Sequence, residues 1–271
     1  MNRLGERLTR LFFLMLSVLF LACRTDQSLA QSTPTNLANS PVSYADQGWS
    51  VADRDAFYLT SQGSQMMPYD WFKALRRLDV DELFGADQLQ RYGYLANERS
   101  TDNLPVGFVI DDRTTPSELG MTCAACHTGQ LEYRKDGATR QLRIDGAPAN
   151  ADFQLFLTDL MAATRETSKD PQRFDTFAKA VLGAGFSDAE AAALKTKFDA
   201  WVAQFGEFMD KSLPASSPWG PGRLDAFNMI FNRVAVRGLS LPQNFAIADA
   251  PSPSALNRAI SSGLIVGLRP L

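Results

Sequence analysis

Three residues in one short run can do chemistry together: Cys123, Cys126 and His127, in the order Cys-Ala-Ala-Cys-His. This spacing is the attachment pattern for a c-type haem. Each thiol adds across one vinyl group, the sulfur bonding to one vinyl carbon and the hydrogen going to the other. The neighbouring imidazole then binds the iron axially. On a helical turn, residues three and four apart share a face, so the two sulfurs and the ring nitrogen can address one macrocycle. The chain has three cysteines and one histidine in 271 residues. A shuffle would place them in this pattern roughly once in ten thousand, which favours the haem reading. A redox dithiol would need a βαβ setting, which the flanking sequence does not offer. A structural zinc site usually takes four Cys or His ligands, and the remaining cysteine, Cys23, lies in the leader.

His127 is the lone histidine, so a sixth iron ligand must be Met, Lys, Tyr or water, or the position stays open. Met66 and Met67 are the thioether candidates, because they sit in a polar, turn-rich stretch where a ligating loop is expected. Met161 and Met209 fall in apolar helical stripes and read as core. Met121 lies too close to Cys123 to cross to the opposite haem face. Arg113, Arg143 and Arg223 are the cations near haem-lining segments that could meet the propionates.

The elements that must position these groups follow from pattern. A net charge of −3 argues against nucleic-acid binding. Arg3, Arg7 and Arg10 precede an apolar run from Leu11 to Ala22, too short to span a bilayer and suited to a signal peptide over residues 1–30. Ser28-Leu29-Ala30 is a cleavage site before Gln31; the alternative is a loose lipobox that leaves Cys23 as a lipid anchor. Either route predicts a periplasmic or secreted protein, or a membrane-anchored lipoprotein, without a transmembrane span. Residues 31–49 read as a flexible leader, rich in Ser, Thr, Pro and Asn. Residues 50–250 are expected to form the haem domain, and 251–271 an atypical tail.

Within the domain, Ser50 caps a first helix and Pro68 opens a second through Trp71, Phe72, Leu75 and Leu78. A short helix is expected over 81–92, and an extended segment over 104–110. The haem motif is placed on a short helix running from Glu118 to His127. Gln130–Arg134 and Thr139–Ile144 form a hairpin about Asp136-Gly137. Asn150 is read as the cap of a helix over 151–165, and Pro171 starts another that ends at Gly183. Ser187 and Glu190 begin a long helix to about Met209. A last helix is expected over 223–236. The predicted fold is therefore mainly α: a cytochrome c-like haem domain with a small β-hairpin and several packed helices.

Several segments together resemble the di-haem cytochrome c peroxidase-like proteins, the group that includes bacterial rubber oxygenases. They are 58–64, Pro68-Tyr-Asp-Trp-Phe72, Leu104-Pro-Val-Gly-Phe108, 120–129, Arg143-Ile-Asp-Gly146 and 220–228. The resemblance covers roughly Tyr58 to Ala250. It implies a mainly helical fold and two haems, one reactive and one relaying electrons, with Cys123, Cys126 and His127 at the first, N-terminal haem. This sequence departs from that pattern in having no second Cys-x-x-Cys-His, and its character changes after Ala250. A truncated or frameshifted product is the expectation drawn from that departure. The function expected is electron transfer outside the cytoplasm through one covalent haem c, with a redox protein or small electron donor as partner. The alternative is a haem-dependent peroxidase or oxygenase with an open iron.

Overall fold

The computed structural model describes residues 42–213 and 218–222. The expected signal peptide over 1–30, Cys23, residues 223–236 with Arg223 and Met229, and the tail 251–271 lie outside the described residues.

Ser50 begins the first helix, α1 (Val51–Leu59), by a full capping box: its side chain accepts from Asp53 N, while the Asp53 carboxylate accepts from Ser50 N. The next segment, Ser64–Pro68, is strand β2 rather than loop. It pairs antiparallel with β4 (Glu118–Met121), which pairs in turn with β3 (Phe108–Asp111). Pro68 then caps α2 (Tyr69–Ala74), which buries Tyr69, Trp71 and Phe72. Residues 81–92 form turns and a short 3-10 helix at Gln90–Tyr92 instead of a longer helix.

A second sheet contains the hairpin that the Asp-Gly pair predicts. Strands β5 (Thr128–Lys135) and β6 (Ala138–Asp145) pair without a break, and β1 (Val42–Tyr44) joins β6 in parallel. Residues 42–44, expected to belong to a flexible leader, are thus part of a sheet.

Three helices follow. They are α3 (Phe153–Lys169), α4 (Pro171–Leu182) and α5 (Asp188–Ser212). Asp152, not Asn150, caps α3, accepting from Leu155 N. Pro171 sits in the first turn of α4, Gly183 closes it, and Ser187 caps α5. One apolar cluster runs from β2, α2 and β4 to the faces of α3, α4 and α5.

The expectation of a mainly α fold is corrected. The described residues are about 44% helical and 19% strand, a mixed α/β fold with two small sheets. Two of the strands that pattern reading missed, β2 and β4, have little β-propensity. Ser-Gln-Met-Met-Pro and Glu-Leu-Gly-Met contain no β-branched residue. Their extended state comes from mutual pairing and burial, which local sequence does not encode.

Candidate functional site

The Cys-x-x-Cys-His run occupies the crossover between the two sheets, directly after β4 and directly before β5. It is a tight 3-10 turn, not a helix extending from Glu118, because Glu118–Met121 is committed to strand pairing. Thr122 caps it by accepting from Ala124 N. The Cys123 carbonyl accepts from both Cys126 N at 3.3 Å and His127 N at 2.9 Å. This single turn brings the two thiols and the imidazole within five residues of chain.

The two alanines explain its orientation. Ala124 and Ala125 are buried, Ala124 among Tyr58 and Val106 and Ala125 in the main core. Cys123 and His127 are left exposed and Cys126 half-buried against the core. The main chain is fixed from three directions. Thr122 N donates to Gly107 O at 2.9 Å, Gly146 N to His127 O at 2.7 Å, and Ala149 N to Cys126 O at 3.0 Å. Gly107, at φ +84°, lies so close that a Cβ there would stand 2.0 Å from Ala125 N.

Both thiols are free. Burial pushes the Cys126 thiol up to about 11, with a smaller contribution from Cys123. Beside it, the fully buried Tyr94 phenol is raised well above its ordinary range, first by burial and then by the charge of Cys126. The Tyr94 hydroxyl has no hydrogen-bond partner, nor does the buried Thr128 hydroxyl, one residue after His127. Two orphaned polar atoms therefore flank the motif, a situation that buried groups usually avoid. The residues fit covalent attachment of a haem: two free thiols at the required spacing, an exposed imidazole, and nearby polar groups awaiting a partner.

The methionine candidates are separated by burial. Met67 is wholly buried, paired opposite Leu119 in the sheet, four positions upstream of Cys123. Met66 is the residue where the β2–β4 register shifts, and it is only partly buried. A bulge of this kind redirects a side chain, and Met66 lines a groove of about 610 Å³ with Met121, Met209, Trp201, Phe205 and Glu118. Burial raises the Glu118 carboxyl, and the Asp111 charge opposite it in the sheet adds to the effect. The walls of this groove include none of Cys123, Cys126 and His127. Met161 is buried on α3, as its stripe predicts. Met209, also buried, borders the groove as well.

The two arginine candidates among the described residues, Arg143 and Arg113, already have partners. Arg143 is 1% exposed, bonded through Nε and Nη2 to Gln130 and through Nη2 to Ala96 O; only its Nη1 lacks a hydrogen bond. Arg113 binds the Asp111 carboxylate and Ser61. Sequence reading missed Tyr94 and Gly107. Only the tertiary contact at the motif distinguishes that Tyr from an ordinary core aromatic.

Among the described residues no three His, Cys, Asp or Glu side chains gather as for a bare metal ion. None of their helices is long and apolar enough to cross a membrane. No family model matches the chain, and no solved structure matches it. The chain is 33% identical over 236 residues to the protein named "Uncharacterized protein y4iJ" of Sinorhizobium fredii (strain NBRC 101917 / NGR234). The match takes in 78% of this chain and 39% of that protein, so this chain spans about two fifths of its relative's length. That relative's name assigns no activity, and the chemistry of the site is therefore argued from the residues of this chain.

Proposed function

We propose that this chain is a c-type haem protein that exchanges single electrons outside the cytoplasm, a counterpart of the N-terminal haem module of the di-haem peroxidase-like group. The observation that carries the reading is the Cys123–His127 turn, with two free thiols, one exposed and one half-buried, and an exposed imidazole within five residues. Cys123 and Cys126 would hold the haem by thioether bonds, and His127 would be its axial ligand. Bound there, the haem supplies one reversible redox couple. Buried residues and main-chain hydrogen bonds hold the turn in place. Ala124 and Ala125 anchor it in the core, and Gly107, Gly146 and Ala149 fix its main chain. The basic and apolar leader in the sequence supports a periplasmic or secreted location.

A second reading, an open iron that meets peroxide or dioxygen, is favoured by one observation. Met67 is locked in the core and His127 is the lone histidine, so Met66 is the remaining thioether of the candidate pair.

The test is a visible spectrum of the protein matured with haem c machinery, oxidised and reduced, then with carbon monoxide. A low-spin spectrum indifferent to carbon monoxide supports electron transfer and directs attention to Met66. A high-spin ferric spectrum with a ferrous carbon monoxide adduct supports the second reading. Absence of covalent haem overturns both.

A further inference from the structure

Strand β5 ends its sheet, in the order β1-β6-β5, and its outer edge carries no strand among the described residues. Edge strands are normally blunted by a bulge, a proline, brevity or charged side chains, and of these β5 carries the charges Glu132, Arg134 and Lys135. Here the ladder with β6 runs without register shift from Thr128 to Lys135, and β5 contains no proline. Residues 131–136 are exposed, with Leu131 at 56% and Tyr133 at 40%. We infer that this edge pairs with the same edge of a second copy of the chain, antiparallel, about a two-fold axis at Tyr133.

The turn fixes which main-chain groups are free. Asp136 and Gly137 have φ of 53° and 76°, a two-residue turn flanked by the pair Lys135 and Ala138. The flanking pair of such a turn is hydrogen-bonded, and bonding alternates along the ladder. Lys135, Tyr133 and Leu131 therefore face β6, while Arg134, Glu132 and Gln130 turn their amides and carbonyls outward.

Charge selects the register. With the axis at Tyr133, Glu132 of each copy stands opposite Arg134 of the other, and these outward-facing residues exchange both main-chain hydrogen bonds. Moving the axis by one residue sets Glu132 against Glu132 or Arg134 against Arg134, and like charges directly opposite repel. On the other face, the two Tyr133 rings meet and Leu131 lies under the stem of Lys135. The exposed apolar side chains of β5 are covered in the same step. The inference does not depend on haem.

Sedimentation equilibrium of the full chain across the micromolar range tests it. The mass should rise from monomer to dimer with concentration. Glu132→Arg should weaken the dimer by about tenfold, because both attractive pairs become repulsive. The exchange E132R/R134E should restore it, since the opposite charges then face each other again. Both side chains are exposed, and circular dichroism should confirm that each variant keeps its fold. A monomer at every concentration, a dimer indifferent to E132R, or a folded but monomeric double variant would overturn the proposal.

Discussion

Two glycines in the left-handed region show how differently one residue type can act. Gly107 and Gly137 have φ of +84° and +76°. Around Gly137 a Cβ would meet nothing within 4 Å, whereas at Gly107 it would stand 2.0 Å from Ala125 N. Gly137→Ala should therefore cost about 1 kcal/mol, the strain of the conformation alone. Gly107→Ala should cost about 3 kcal/mol or more, because the attachment turn has to move. Chemical denaturation compares the two, and covalent haem per chain should fall only for Gly107→Ala. A second residue-scale prediction concerns Asp111. The Arg113 guanidinium, bonded at 2.8 Å through Nε, holds its carboxyl well below the usual carboxylate range, and Ser61 adds to this at 2.9 Å. A folded-state value below the unfolded one, about 3.9, means stability that is present above that pH and lost as pH falls below it. The stability gap between the protein and Asp111→Asn should be constant near neutrality and narrow below pH about 4. Denaturation midpoints measured across that range check the sign.

At the scale of elements, the sheet containing β1, β6 and β5 is tied to α1 through Asp145. Its buried carboxylate accepts from Arg54 Nε at 2.8 Å and from the Tyr58 hydroxyl at 2.7 Å. Gln47 brackets its main chain, donating to Asp145 O and accepting from Asp145 N. Removing one partner of a buried pair leaves the other charge unsatisfied, at a cost of about 3–5 kcal/mol. Asp145→Ala should lose this amount in denaturant titrations. Hydrogen exchange should show α1 opening first, since Arg54 and Tyr58 both lean on that carboxylate. The effect should reach the attachment turn, because Gly146 N holds the His127 carbonyl.

For the whole molecule, Phe198 is the test of cooperativity. It is wholly buried, with ring centroids 5.3 Å from Trp71, 4.7 Å from Phe177 and 6.2 Å from Phe174, so it joins α2, α4 and α5. Phe198→Ala should cost about 3–5 kcal/mol. The same apolar cluster includes Met121 and Ala125 beside the attachment turn. Tryptophan fluorescence and haem absorbance should therefore shift to lower denaturant together; separate transitions would show that helices and motif unfold as different units. Much of this was legible in the sequence. The Asp-Gly hairpin, the Ser50 cap, and the Pro171, Gly183 and Ser187 boundaries of the helices are local signals, and local geometry answers to them. The strands β2 and β4 were not legible, because their residues extend only when paired with each other and buried beside α2. The sequence by itself determined the spacing of Cys123, Cys126 and His127, three residues within five positions, on which the proposed haem attachment rests. Only the tertiary structure decided that Ala124 and Ala125 point inward while Cys123 and His127 face outward, that Met67 is lost to the core while Met66 bulges into a groove, and that Tyr94 lies against Cys126. Each of those outcomes depends on burial by segments far away in the chain, and no short stretch of sequence contains its own neighbours.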